Sequence, residues 1–138
     1  MDWTAEVLVH AIAVESEFAR RYRELARFLA ERRQDEAAAL FAELARQEES
    51  HLQRLEAKSA GVALPDLAAD HSWSAAGGPI ASALQAEKDA RAFFEQARRV
   101  AQEASARSLA EEMALEEGEH IARLQALVSR VDIQRRSS

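Results

Sequence analysis

Apolar residues recur along the chain at intervals of three and four positions, in four stretches that turn-forming residues separate. This spacing marks one face of an α-helix, and β-branched residues are sparse and almost never alternate with polar ones. The pattern predicts helices over about residues 4–32, 35–60, 79–103 and 105–131. Thr4, Asp35 and Ser105 are the predicted N-caps, and Gly61 is predicted to end the second helix. Residues 134–138 are expected to fray.

The helical spacing is lost between about residues 62 and 78, where Pro, Gly, Ser and Asp accumulate. Short turns join the first helix to the second and the third to the fourth, which predicts two antiparallel hairpins. About 17 extended residues span roughly 55 Å, whereas a helix of about 25 residues is roughly 38 Å long. The connection can therefore run back along the whole bundle in an up-down-down-up order. A loop confined to one end is the alternative.

Composition is consistent with a single all-α domain over residues 1–138. Strong helix formers dominate, and only four Gly and two Pro interrupt them. A net charge of −6 argues against a nucleic-acid partner. The absence of cysteine excludes thiolate metal sites and cysteine nucleophiles. No apolar run approaches the roughly 20 residues of a membrane span, and no signal peptide is evident, so we expect no membrane association and a cytoplasmic location.

Each of the four apolar stripes is interrupted by a glutamate in its middle. The four are Glu15, Glu48, Glu87 and Glu117. When the hairpins are folded at their turns, each pair of glutamates meets within roughly one helical turn, about 5–6 Å. Buried and unpaired carboxylates are costly, and several at one level repel one another. We therefore expect cations to occupy the space between them.

Two histidines complete this polar set. Glu48 and His51, like Glu117 and His120, form a Glu-x-x-His motif. Residues three apart on a helix point the same way and can bind one ion. Carboxylate and imidazole ligands suit iron or manganese. The sequence thus predicts a site for two Fe ions, with Mn possible.

The halves of the chain also repeat one another. A shift of 69 positions aligns the second helix with the fourth, and a shift of 72 aligns the first with the third. The aligned polar pairs are Glu48 with Glu117, His51 with His120, and Glu15 with Glu87. Tyr22 aligns with Phe94. This repetition predicts a duplicated hairpin with pseudo-twofold symmetry and makes two metal-binding halves a stronger prediction than one motif would.

Other polar residues are predicted to be solvated. The glutamates off the stripes are Glu49, Glu56, Glu111, Glu112, Glu116 and Glu119. His10 and His71 have no partner at ligand spacing and are expected on the surface. Tyr22 has two open interpretations, as a core aromatic residue or as a hydrogen-bond donor to a ligand carboxylate.

With these motifs in view, the chain resembles the ferritin-like superfamily, and most closely the rubrerythrin-type di-iron carboxylate proteins. A glutamate seven residues before a tyrosine, Glu15 and Tyr22, is similar to the first rubrerythrin helix, and residues 41–51 are similar to the second. The resemblance implies a ferritin-like antiparallel four-helix bundle. It also implies that Glu48 and Glu117 bridge two ions. Glu15 with His51 would complete the coordination of one ion, and Glu87 with His120 would complete that of the other.

The chain departs from that family in two respects. It lacks the cysteine-ligated rubredoxin domain, which implies an external electron donor, and Ala90 stands where rubrerythrins tend to carry an extra glutamate. The leading hypothesis is a di-iron oxidoreductase acting on peroxide or dioxygen, as a homo-oligomer with a dimer favoured. The alternatives are a ferroxidase for iron handling, in the manner of ferritins, and a metal-stabilised helical module without enzymatic activity.

Overall fold

The computed structural model describes residues 2–66, 73 and 77–137, with side chains described as far as residue 131. The helices are α1 (Trp3–Glu31), α2 (Asp35–Ser59), α3 (Pro79–Val100) and α4 (Ala104–Ser137). These described residues contain no strand. The predicted all-α fold class is therefore confirmed.

The helix caps differ from the sequence prediction. Asp2, rather than Thr4, caps α1, and its carboxylate accepts a hydrogen bond from the Ala5 amide at 3.1 Å. Thr4 and Ser105 both lie within the first turns of their helices, where their hydroxyl oxygens are 2.9 Å apart. Asp35 is the first residue of α2 and follows Gln34, which occupies the cap position.

The helix ends show one agreement and one correction. Gly61 follows α2 with a positive φ of 77°, as expected of a residue that terminates a helix. The fourth helix continues to Ser137, so the predicted fraying from residue 134 is wrong for the described residues.

The helices follow the up-down-down-up order. The start of α1 contacts the start of α4 through Thr4 and Ser105, so these two helices run parallel. The start of α3 meets the end of α1, where Phe28 and Pro79 line one cavity. The connection between α2 and α3 therefore joins opposite ends of the bundle, and the predicted crossover is confirmed. Residues 67–72, which include His71, and residues 74–76 lie outside the described residues.

An aromatic layer packs at the centre of the bundle. Tyr22, Phe18 and Phe41 are each at most 2% exposed, and the ring centroids of Phe18 and Phe41 each lie 5.3 Å from that of Tyr22. Trp73, from the crossover, packs against Phe18 and Tyr22 with ring centroids 5.4 and 5.6 Å apart. Each such ring stabilises the fold by about 1.5–3 kcal/mol through burial. This layer gives the polar side chains of the interior a rigid, largely dry surrounding.

The outer faces of the helices are polar and carry many ion pairs, such as those of Arg20 with Glu17 and Glu24. Among the described helices, none is long and apolar enough to cross a bilayer.

Candidate metal centre

Four glutamates, one from each helix, meet inside the bundle. Glu15, Glu48, Glu87 and Glu117 are all 0% exposed. Each sits on the apolar face of its helix, because the three-four spacing that buries its neighbours buries it as well. The structure thus brings together the four carboxylates that interrupt the predicted stripes.

The ligand atoms form two groups that share one carboxylate. Oxygen or nitrogen atoms of Glu15, Glu48 and His51 all lie within 4.8 Å of one another, and so do those of Glu48, Glu87 and His120. Glu48 therefore stands between two potential ion positions. Glu117 lies close to both Glu87 and Glu15 and completes the same cluster.

Most of the oxygens in this cluster lack hydrogen-bond partners. Both carboxylate oxygens of Glu15 and Glu117, and Oε2 of Glu48, are buried without a partner among the described residues, whereas Oε1 of Glu48 lies 2.8 Å from a ring nitrogen of His120. Leaving one buried polar group unsatisfied costs about 1–3 kcal/mol, and more when it is charged. Because so many acceptors converge without donors, the residues present fit a pair of divalent cations.

Burial and mutual repulsion change the acidity of these groups. Burial raises the pKa of Glu15, and the charges of Glu87 and Glu116 raise it further, against the lowering effect of His51. Burial also raises the pKa of Glu117 well above its usual range, with the charges of Glu87 and Glu15 adding to the effect. Without a cation, the cluster therefore tends to hold protons.

His120 is oriented by contacts on both of its ring nitrogens. Nδ1 lies 2.8 Å from Oε1 of Glu48 and 3.3 Å from Oε1 of Glu87, on the inner side. Nε2 lies 3.2 Å from the amide oxygen of Gln47. Burial lowers the pKa of His120, but the hydrogen bond and charge of Glu87 outweigh it, so the net direction is upward. When Nε2 donates to Gln47, Nδ1 is left free to bind a metal ion.

His51 occupies the pseudo-symmetric position with different neighbours. Its ring lies nearly parallel to that of His120, at an interplanar angle of 9° and a centroid distance of 6.1 Å. Its Nδ1 lies 3.8 Å from Oε2 of Glu15 and 3.1 Å from Oε2 of Glu116. His51 is also more open to solvent, since its side chain is 15% exposed against 3% for His120.

Tyr22 connects the aromatic layer to the carboxylates. Its hydroxyl donates a hydrogen bond to Oε1 of Glu87 at 2.5 Å. Burial raises the pKa of Tyr22 well above its usual value, and the charge of Glu87 adds to this effect. The phenol therefore keeps its proton, and the residue is both a core aromatic and a donor to a carboxylate.

Two expectations about residues outside the stripes were wrong. Glu116 was expected in solvent, but its side chain is only 16% exposed and one of its oxygens faces His51. The repeat carries a signal for this residue, because Glu116 aligns with Gln47, which contacts the other histidine. His10 was expected on the surface, yet it is 7% exposed and packs against Phe93, because α3 covers that side of α1.

Comparison with known proteins agrees with this architecture. The rubrerythrin family model matches residues 6–64. An uncharacterized conserved protein from Magnetospirillum magnetotacticum MS-1 superposes with a TM-score of 0.83 at 26% identity, over 91% of this chain and 93% of that one. No curated protein matches the chain.

A bacterioferritin from Rhodobacter capsulatus also shares the fold. It superposes with a TM-score of 0.74 at 18% identity, over 94% of this chain and 85% of that one. That protein is described as having a metal-free dinuclear site and a haem iron. At this identity the likeness concerns the fold alone.

The helix order and these superpositions define the class of protein, a ferritin-like four-helix bundle. Within that class, the family match over α1 and α2 makes the chain similar to ferritin-like domains of the rubrerythrin type.

Proposed function

We propose that the protein is a di-iron carboxylate oxidoreductase that reacts with peroxide or dioxygen. The observation that carries this proposal is the convergence of four fully buried glutamates, most of whose oxygens have no partner among the described residues. Carboxylate with imidazole is a donor set that suits iron, and manganese is the alternative metal.

The two groups of ligand atoms support a specific division of roles. Glu15 and His51 would hold one ion, and Glu87 and His120 the other. Glu48, which belongs to both groups, and Glu117, which interacts with Glu87 and Glu15, would be shared between the two ions. When bound, the iron pair supplies two electrons to a small oxidant.

The residues around the ligands orient the side chains of the site, exclude bulk water from it and hold a proton beside one carboxylate. Gln47 fixes the ring of His120 through its outer nitrogen. The Tyr22 hydroxyl holds a proton against Glu87 and orients that carboxylate. Phe18 and Phe41, packed around Tyr22, keep bulk water from this side of the site. The electrons that restore the reduced state would come from a donor outside these 138 residues.

Anaerobic loading with Fe(II) tests this proposal. We expect about two Fe(II) per chain and rapid optical changes when peroxide or air is added. The double variant Glu48→Ala, Glu117→Ala should stay helical but lose oxidation, whereas Glu119→Gln, an exposed change on the same helix, should behave as wild type. Wild-type protein that reacts with neither oxidant would contradict the proposal.

A second candidate is a ferroxidase that handles iron. The shared fold with a bacterioferritin described as having a dinuclear site favours it. Size-exclusion chromatography with light scattering separates the candidates, since a homodimer is expected of the redox enzyme and a many-subunit shell of the storage protein. Loss of Fe(II) oxidation in a folded double variant would also exclude a purely structural role for the metal.

A further inference from the structure

The two halves of the metal centre differ in charge although their backbones are pseudo-symmetric. The residue before each Glu-x-x-His glutamate approaches the histidine of the opposite hairpin. Gln47 does so at His120 with a neutral amide, and Glu116 does so at His51 with a carboxylate. The half that contains His51 therefore carries one additional acidic group.

Glu116 also points differently from Gln47. The amide oxygen of Gln47 approaches Nε2, the outer nitrogen of His120. Oε2 of Glu116 approaches Nδ1 of His51, the nitrogen that also faces Glu15. That oxygen is buried and has no hydrogen-bond partner among the described residues. It therefore lies beside the His51 nitrogen that also faces the ligand group of Glu15 and Glu48.

The other oxygen of Glu116 is held from outside the site. Arg54 donates to Oε1 at 3.1 Å. Arg123, at the aligned position of α4, approaches Gln47 at 3.4 Å. One arginine contacts Glu116 and another contacts Gln47, so each half has one positive charge at this position. The difference in charge between the carboxylate of Glu116 and the amide of Gln47 therefore remains.

Tyr22 increases the asymmetry further. Its hydroxyl donates a hydrogen bond to Glu87, which belongs only to the His120 half, and so offsets part of the negative charge of that carboxylate. The aligned residue in the other half is Phe94, which has no hydroxyl, and Glu15 keeps both oxygens unpartnered within the described part of the chain. Glu15 is completely buried, so its charge meets no compensating solvent.

From this geometry we infer that Glu116 is an additional oxygen ligand at the His51 half of the centre, and that the first divalent cation binds there. Three differences distinguish this half: an extra carboxylate, a Glu15 without the hydroxyl donor that Glu87 has, and greater access from solvent. The His120 half then fills second. This inference rests on the proposed two-metal site and assigns an order of loading within it.

Anaerobic calorimetric titration of the metal-free protein with Mn(II) tests the inference. Wild type should bind two ions in two steps of unequal affinity. Glu116→Gln, which makes the halves alike at this position, should weaken the tighter step by roughly 10- to 100-fold, the effect typical of groups that support a metal site. Gln47→Glu adds the carboxylate to the other half and should tighten the weaker step. Glu119→Gln is the matched control and should leave both steps unchanged.

A crystal grown with one equivalent of Mn(II) locates the first ion directly by anomalous diffraction. Density beside His51 supports the inference, and density beside His120 overturns it. An unchanged tighter step in folded Glu116→Gln also overturns it while leaving the two-metal proposal intact. If Glu116→Gln fails to fold, the position of the first ion in the wild-type crystal decides the question by itself. A wild-type protein that binds no Mn(II) or Fe(II) overturns the proposed function itself.

Discussion

At the scale of single residues, several buried carboxylates destabilise the metal-free bundle. Glu15, Glu48 and Glu117 are buried with unpartnered oxygens, and burial raises the pKa of Glu15 and of Glu117. An apolar residue at any of these positions would suit a helical core better. Their presence is explained when a cation supplies the missing partner.

Glu117→Gln separates the stability of the metal-free protein from its affinity for metal. At pH 8, in a chelator, the buried Glu117 carboxyl must either ionise without a partner or take up a proton, and both cost free energy. Glutamine avoids both and should raise the free energy of unfolding by about 1–3 kcal/mol, the usual penalty of an unsatisfied buried group. The stabilisation by added Mn(II) should largely disappear. Urea unfolding with and without Mn(II) measures both effects. Equal Mn(II) stabilisation in variant and wild type would contradict the assignment of Glu117.

Tyr22→Phe removes a donor from Glu87 and keeps the aromatic ring. Because Glu87 is completely buried, the metal-free protein should lose about 1.5–3 kcal/mol of stability, the range for a hydrogen bond to a charged group. Tyr22→Leu, which also disrupts the packing on Phe18 and Phe41, should lose more. Chemical denaturation of both variants gives the comparison, and a Phe variant as stable as wild type would show that the bond contributes nothing.

At the scale of elements, α1 and α2 are each followed by a residue with a positive φ, although their residue types differ. Arg33 and Gly61 each lie two positions after the last helical residue, with φ of 58° and 77°. At Arg33 the backbone is held by hydrogen bonds from its own amide to Ala30 and from the Gln34 amide to Leu29. A left-handed conformation disfavours any residue with a Cβ, so the first hairpin turn carries strain that the end of α2 avoids.

Placing glycine at residue 33 and removing it from residue 61 should have opposite effects on the stability of the protein. Arg33→Gly should stabilise the protein by up to about 1 kcal/mol, because glycine adopts a positive φ without strain. Gly61→Ala should destabilise it by about 1 kcal/mol. An added Cβ at Gly61 meets no atom within 4 Å, so steric contact would not explain the loss. Thermal unfolding of both variants tests the pair, and shifts in the same direction would contradict it.

At the scale of the whole molecule, the metal centre lies where the two hairpins meet. One potential ion position takes its side chains from the two helices of the first hairpin. The other takes Glu87 and His120 from the second hairpin and Glu48 from the first, so Glu48 belongs to both positions. Docking of the hairpins therefore brings the acidic groups together, and the unfolded chain keeps them apart. We therefore expect folding to depend on pH and on metal.

The metal-free protein should become less stable as pH rises. Glu15 and Glu117 have folded-state pKa values above their ordinary 4.5, so the folded protein binds more protons than the unfolded chain above that pH. Stability is then fully present below pH 4.5 with respect to these groups, and is lost as pH rises through their folded pKa values. His120, with a pKa raised above 6.5, contributes in the same direction at higher pH.

Bound divalent ions should reverse this trend, because they displace the protons and hold the carboxylates ionised. The increase in Tm caused by excess Mn(II) should therefore grow between about pH 5 and pH 8. Scans in chelator and in Mn(II) across this range measure the two trends. A chelated protein that gains stability with pH would contradict the raised pKa values.

The amino-acid sequence by itself determined the four helices, the two hairpins and the six polar side chains that gather inside them. It could do so because helical periodicity is local, and a glutamate in the middle of an apolar stripe is buried whichever helix covers it. The role of these six residues as metal ligands stays a prediction. The internal repeat added the pairing of one half with the other.

Only the tertiary structure decided the positions at the edges of the stripes. Glu116 faces His51, and Tyr22 donates to Glu87, because a neighbouring helix approaches each of them at a particular angle. His10 is buried for the same reason. Periodicity identifies a helix face only to within about one residue on either side. Side chains at that margin are exposed or buried according to how closely the next helix packs, which depends on the whole fold.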